Sequence, residues 1–390
     1  MKTLNIGIVG CGIGGLALGG LLARQGHDVT LFDQFTSPSP VGSGLVVQPV
    51  GLDVLHRIGA AEYALSHGAR ITSMEGFETP SDRKVLNVSY GGANFGLAIH
   101  RTSLFDALYR VAIAGGCEIR TDAKVRATDL QENGRQITLM SGEICGPFDL
   151  VADASGTNSA LSPLRAKPIT YGALWGVVDW PENTDLPQNQ LTQRYHSASR
   201  MAGILPIGTM PDDPVPKATV FWSLRQKDYA VWRETPLADW KAEVIDLWPD
   251  LAPFLTQIRH HDDLTMARYK HGTLWKTVGA RLAFIGDAAH ATSPQLGQGA
   301  NMALLDAAAL AEMLGKHPVE IALPAYQKAR RAHVQLYQFL SWTLTPMYQS
   351  DSKIMPWLRN WVLAPLSNIA PFPWLLTRVG SGNIIPPIRR

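Results

Sequence analysis

A chain of 390 residues, 46 % apolar and 17 % charged, is long enough for two domains, or for one large domain carrying an insertion, around a substantial core. A net charge of +2, with no Lys/Arg run interleaved with aromatics, argues against nucleic acid as a partner. Cys11, Cys117 and Cys145 are odd in number and widely spaced, so neither a disulfide framework nor a metal site is expected, and a reducing cytoplasm fits.

The first predicted elements organise the rest. Asn5-Ile6-Gly7-Ile8-Val9 reads as a buried strand and Gly10-Cys11-Gly12-Ile13-Gly14-Gly15 as a turn with glycine at its first, third and sixth places. A helix then runs to about Gln25, and a second strand closes on Asp33. Gly10 permits the tight turn, Gly12 lets a pyrophosphate approach the backbone, and Gly15 lets helix and strand pack closely, which leaves the helix's free N–H groups aimed at phosphates. Asp33, with Gln34 beside it, stands where a carboxylate accepts hydrogen bonds from a ribose diol and repels a 2′-phosphate, so the seat suits FAD or NAD better than NADP. The uncharged run over residues 6–22 is read as fold rather than as a signal peptide, because its glycines keep dinucleotide-binding spacing.

Residues 34–44, rich in Ser, Pro and Gly, read as a loop, and residues 51–58 as a short amphipathic helix ending at Gly59. Residues 72–77 and 85–90 are expected as strands. Residues 97–104 lead into a helix reaching about Ala114, with Thr102 or Ser103 as its N-cap. Residues 118–120, 124–129 and 136–140 read as a meander turning at Asn133-Gly134, and residues 148–156 as an apolar strand entering a turn of small residues. From about Pro168 the pattern changes: residues 173–180, 190–196, 201–206 and 218–224 are strand-like and aromatic, separated by Pro-rich loops, with a helix at 237–247. The α/β pattern returns at residues 281–290. A loop with Pro294 and Gly297-Gln298-Gly299 then leads into a helix over 300–315 and another over 321–342. Residues 343–390 are Trp- and Pro-rich, with no apolar run of the roughly 18 residues that a membrane span needs.

Three distant pieces can converge on one nucleotide: the glycine loop with Asp33; Arg101, whose guanidinium can clamp a pyrophosphate bidentately; and Gly286-Asp287 at a strand's C-terminal end, where open α/β sheets bind ligands. Gly297-Gln298-Gly299-Ala300-Asn301 opens a helix whose N–H groups can approach a flat ring, with the dipole favouring negative charge by roughly 0.3–1 kcal/mol.

In these motifs, above all Gly286-Asp287-Ala288-Ala289-His290-Ala291-Thr292-Ser293-Pro294 followed by Gly297-Gln298-Gly299-Ala300-Asn301, the chain resembles the class A flavoprotein monooxygenases of p-hydroxybenzoate hydroxylase type over roughly residues 4–345. The resemblance implies an α/β fold, α+β overall: a Rossmann-like FAD-binding domain (residues 1–167 and 275–342), an inserted, mostly antiparallel β-sheet substrate domain (168–274) and a helical C-terminal tail (343–390). By resemblance, Asp33 holds the adenosine ribose, Arg101 the phosphates and Asp287 the ribityl chain, with Pro294 beside the isoalloxazine and Gly297 to Asn301 at its pyrimidine edge. Gly10, Gly12, Ile13, Gly14, Gly15 and Gln34 complete the expected cofactor contacts.

The implied chemistry is hydroxylation of an aromatic or heteroaromatic small molecule through a flavin hydroperoxide, with NADPH or NADH and dioxygen. One departure stands out. Where the family carries Gly-Ala-Asp-Gly ahead of a serine, this chain has Asp153-Ala154-Ser155-Gly156-Thr157-Asn158-Ser159, which bears on the nicotinamide half. It keeps open a flavoprotein halogenase, cyclase or reductase served by a separate reductase, and a non-catalytic flavin-binding protein. Trp175, Tyr195, His196, Phe221, Trp222 and Pro294 are the candidate pocket residues, and no general base is assigned. The tail resembles the C-terminal ends of hydroxylases of hydrophobic aromatic or quinone-precursor substrates. Its Trp and Arg residues can snorkel at a membrane surface, although covering a homodimer face or the pocket mouth is the preferred reading, and the chain is expected as a monomer or homodimer.

Overall fold

The computed structural model describes residues 2–37 and 42–389, so residues 38–41 of the expected loop lie outside the described residues. Strand β1 (Asn5–Val9) is buried along nearly its whole length, as an unbroken apolar run in the middle of a parallel sheet must be. Helix α1 (Ile13–Arg24) follows the glycine turn and returns the chain to strand β2 (Asp28–Phe32), which pairs parallel with β1. The full sheet has six strands, in the order Val278–Gly279, Leu282–Phe284, Leu150–Asp153, β1, β2 and Glu118–Arg120. Only the pair at the Val278 edge is antiparallel. In register, Val9 lies beside Phe32 and Asp153, and Asp153 beside Phe284, so these strands end level. Gly10, Asp33, the Ala154 turn and Gly286-Asp287 therefore all leave the sheet along one edge.

Two of the sequence expectations change here. Residues 118–120 belong to this parallel sheet, not to the meander. The meander's third strand is Ile144–Phe148, whose interior Gly146-Pro147 hid it from pattern reading. The helix Arg101–Ala114 is capped by neither Thr102 nor Ser103 but by His100, whose Nδ1 accepts the Thr102 N–H at 3.1 Å.

The second sheet has seven strands, in the order Leu264–Ala267, Tyr171–Asp179, Asp213–Arg225, Arg200–Met210, Gln190–His196, Ser73–Glu78 and Arg83–Ser89. Two of its strands thus come from ahead of residue 168. Period-two alternation gives it two different faces. Leu174, Val178, Ala202, Ile204, Val220 and Trp222 pack outward against a helical layer containing Trp232, Trp240 and Trp248. Trp175, Tyr195, Met201, Leu205, Ile207 and Phe221 pack inward, with Val46, Tyr90 and Ala98 of the nucleotide domain. Strand Gly44–Val47 links the two, since the Gly44 N–H donates to Thr219 Oγ1 at 2.9 Å.

Helix Gly299–Leu314 packs on α1 and is buried on almost every side, yet carries one acid in the middle of its apolar run. Asp306 accepts the Gly286 N–H at 2.9 Å, His290 Nε2 at 2.5 Å and Arg330 Nε at 2.7 Å. Burial opposes its charge, but the positive charges of His290 and Arg330 outweigh that and hold its pKa below the carboxylate range. His290 lies in the expected motif but is committed to this network. After helix Val319–Tyr348 the tail continues as short helical segments at Ile354–Leu358, Arg359–Leu363, Ala364–Leu366 and Phe372–Ser381. Among the described residues no helix is long and apolar enough to cross a membrane.

Replacing Asp306 by Asn leaves Arg330 buried without a countercharge and is expected to cost about 3–5 kcal/mol in urea unfolding. Because the folded pKa of Asp306 is depressed, its contribution is complete above the unfolded value of about 3.9 and is lost as pH falls through the folded one. Wild type should therefore lose its advantage over the variant on the acid side of that value, which pH-dependent denaturation would measure.

Candidate active site

Along the sheet edge the glycine loop is held by its neighbours. Gly10 has φ +99°, and a Cβ there would lie 2.7 Å from the Ala154 carbonyl oxygen. A Cβ on Gly15 would overlap the carbonyl oxygen of Gly10, so helix and turn meet backbone to backbone. Gly12 is different: it is exposed and faces open space, so no protein packing requires a glycine there. A bare backbone facing an empty region at a helix N-terminus is the geometry a pyrophosphate needs. Asp33 closes the loop from the side, with Oδ2 accepting the Cys11 N–H at 2.6 Å and Oδ1 the Gln34 N–H at 2.7 Å. Oδ1 also accepts the Phe35 N–H at 3.3 Å, which leaves one lone pair, on Oδ2, for a ribose hydroxyl.

Opposite this loop stand Arg101 and Asp287. Arg101 opens the helix Arg101–Ala114 and its side chain is exposed, passing Gly42, where a Cβ would lie 3.0 Å from Arg101 Cδ. Asp287 is accessible to solvent from one side, yet the surrounding chain desolvates its carboxylate and raises its pKa. The positive charges of His290 and Arg101 act in the other direction, which puts Arg101 within electrostatic reach of Asp287. The glycine loop adjoins it: a Cβ on Gly14 would lie 3.3 Å from Ala303 Cβ and 3.5 Å from Ile285 Cδ1.

The Pro294 turn forms the inner end. Ser293 Oγ bonds Ser341 Oγ at 2.8 Å and Thr345 Oγ1 at 2.6 Å, which pins Pro294–Leu296 to the long C-terminal helix. Gly297 turns the chain with φ +60°, and Gly299 again faces open space. Ile13 and Ala300 each lie in the first turn of a helix, beside backbone N–H groups without intrahelical partners. Asn301 is a clamp rather than a ligand. Its Oδ1 accepts the Gln48 N–H at 2.8 Å, and its Nδ2 donates to Val46 O at 3.1 Å and Gly297 O at 2.9 Å. Its side chain is therefore spent on structure, leaving only its backbone N–H for a cofactor.

The pocket expectation divides by strand parity. Trp175 and Phe221 face inward, stacked at 4.8 Å. Tyr195 also faces inward but is sealed beneath the tail, its ring 5.4 Å from that of Tyr348 and 4.8 Å from the Arg359 guanidinium. Trp222 and His196 must be removed from the expected pocket. They lie on the outer face, where both line a groove shared with Arg200, Trp232 and Glu243. The reason is the two-residue repeat: each directly follows an inward residue, Phe221 and Tyr195. Sequence reading also missed Tyr269, whose hydroxyl accepts from Trp175 Nε1 at 2.7 Å. Burial pushes its pKa up, so it keeps a proton to donate at the inner face.

The cradle fits FAD: two glycines open to space at helix N-termini, an arginine, and two carboxylates at one end of the sheet. Comparison with known proteins agrees. A family model described as an FAD binding domain matches residues 3–144 and 215–338, and the chain belongs to that family. Within it the chain is an FAD-dependent monooxygenase, an oxidoreductase, and NADH or NADPH is the typical reductant. It is 27 % identical to the aurachin C monooxygenase/isomerase of Stigmatella aurantiaca, over 94 % of this chain and 96 % of that one. It is 26 % identical to the 2-heptyl-3-hydroxy-4(1H)-quinolone synthase of Pseudomonas aeruginosa, over 94 % and 95 %. The structure of Klebsiella pneumoniae HpxO complexed with FAD and uric acid superposes with a TM-score of 0.82 at 17 % identity, covering 98 % of each chain.

The two kinds of glycine are separable by experiment. Gly15→Ala is expected to destabilise the fold by about 1–3 kcal/mol or more through overpacking. Gly12→Ala should leave the apoprotein's melting temperature unchanged yet weaken FAD binding, by about tenfold or more in a flavin-fluorescence titration, because its methyl group enters the phosphate path.

Proposed function

We propose that the chain hydroxylates an aromatic or heteroaromatic small molecule of largely apolar character, with FAD held by Gly10, Gly12, Ile13, Gly14, Gly15, Asp33, Gln34, Arg101 and Asp287 and by the segment Pro294 to Asn301. The observation that carries this reading is the common sheet end at which Gly10, Asp33 and Asp287 leave their strands, with the positive charge of Arg101 acting on Asp287; the stacked Trp175–Phe221 pair on the inner sheet face supports it. The activities that name the two relatives, on a quinolone and in aurachin formation, support an apolar heteroaromatic substrate.

When bound, FAD supplies the two-electron redox chemistry and the activation of dioxygen. The chain's own part is positional. Gly12 and α1 neutralise phosphate charge, Arg101 holds it from across the cleft, and Asp33 and Asp287 orient hydroxyl groups. Trp175 and Phe221 present a flat apolar wall that excludes water and stacks on an aromatic ring. The Tyr269 hydroxyl, fixed by Trp175, donates to a ring oxygen or nitrogen and so sets which carbon faces the cofactor. The buried free thiols Cys11, Cys117 and Cys145 support a cytoplasmic setting.

The decisive experiment purifies the protein with FAD, mixes it anaerobically with NADH and NADPH, and then supplies isotope-labelled dioxygen and candidate quinolones and phenols. Bleaching without a partner protein, followed by label in the product, is expected; a colourless protein that cannot be loaded with flavin would end the proposal. Tyr269→Phe should lower kcat/KM by about tenfold, the scale of one lost buried hydrogen bond. His196→Ala, on the outer face, should stay within about twofold of wild type in the same assay.

A further inference from the structure

The tail has two unlike sides. Its inner side completes the pocket region, where Tyr348 and Ala364 pack with Tyr195 and Phe221, and the buried Arg359 donates to Met347 O at 3.0 Å. Asn360 reaches Glu78, and Thr377 Oγ1 bonds Ser89 O at 2.7 Å, so the tail is laid along the sheet edge formed by Ser73–Glu78 and Arg83–Ser89.

Its outer side is left bare. Ile354, Trp357, Trp361, Ile369 and Trp374 are each more than half exposed, Ile354 at 71 %. Large apolar side chains scattered singly over a surface need no explanation, but so many within some twenty residues of one segment do. The charges around them have one sign. From Ser352 to Arg390 the sequence holds no Asp or Glu, while Lys353 and Arg378 are exposed cations of the segment. Arg83 lies over the Trp361 ring at 3.7 Å and Arg378 over Trp374 at 4.9 Å, so cations sit directly among the exposed indoles. Along the sheet edge Glu75 is paired with Lys84 at 2.8 Å and Asp82 with Arg194 at 2.7 Å, while Glu78 accepts from Asn360 and from Ser81 Oγ.

Indoles beside cations, on short segments that lie along a protein surface and cannot span a bilayer, match the requirements of the headgroup boundary of an anionic membrane. There the ring enters the apolar edge while the cation stays with the phosphates. We infer that residues 353–378 dock this protein on the surface of an anionic lipid membrane. A second copy of the chain would bring the same cations face to face with no acid of the segment itself to meet them, which disfavours a dimer through this face. The inference does not depend on the proposed hydroxylation, because it is read out by binding alone. It does place the membrane, a store of apolar aromatic molecules, next to the segment that closes the pocket.

The test uses the full-length, FAD-loaded protein sedimented with phosphatidylcholine vesicles, with or without phosphatidylglycerol. Co-sedimentation with the anionic vesicles is expected, decreasing as salt rises. Trp357→Ser with Trp374→Ser should weaken it by about tenfold or more, with flavin content and melting temperature held at wild-type values. Lys353→Glu with Arg378→Glu should do the same while keeping every tryptophan. Protein that stays in the supernatant with both vesicles, or binds both equally, would overturn the inference, as would a dimer in sedimentation velocity that Trp357→Ser dissociates.

Discussion

One buried carboxylate holds the catalytic end of this molecule together. Asp306, deep in an apolar helix, reaches the strand end at Gly286, the motif histidine His290 and Arg330 of the long C-terminal helix. Each of these groups would be costly to bury alone; together they satisfy one another in a low-dielectric setting. The effect is geometric. By accepting the Gly286 N–H, Asp306 fixes where Asp287 leaves the sheet, and so fixes the carboxylate that faces Arg101 across the cleft. Arg330 and its neighbour His333 extend the same network to the chain's end, with His333 Nε2 at 2.8 Å from the Gly382 carbonyl. The tail is thereby tied to the helix that carries the flavin-side turn.

The nucleotide half was legible in the sequence because its constraints are local. A strand, three glycines at fixed spacing and an acid at the next strand end are all set by backbone geometry over some thirty residues. Arg101, Asp287 and the Pro294 to Asn301 run could be placed together only through a family resemblance, since nothing in a linear chain says that residues 101 and 287 meet. What the residues alone did not reveal was the work of Asn301. Its side-chain amide is taken by three backbone groups, two on the Val46 to Gln48 stretch and one, Gly297 O, in its own turn.

The substrate half was less legible, and the reason is parity. In an antiparallel sheet with both faces covered, aromatic residues are useful on either side, so Phe221 and Trp222 look alike in sequence although they belong to opposite cores. Alternation distinguishes faces only where one of them is wet. Tyr269 carried no signal, because its importance lies in a partner, Trp175, on another strand.

Where the resemblance expects an acid, this chain has Ser155, and the structure gives that serine a partner. Asp153, the strand's last residue, is wholly buried and accepts Ser155 N–H at 3.0 Å, Ser155 Oγ at 2.6 Å and a further bond from Ser159 Oγ. Burial raises its pKa and these serine bonds pull it back, so the group is engaged in shaping the Ala154 turn against which Gly10 is folded. A carboxylate so enclosed cannot reach into the cleft. Asp33 and Asp287 then carry the negative charge at the cleft's rim, and the space in front of the Ala154 turn is less acidic than the family pattern would make it.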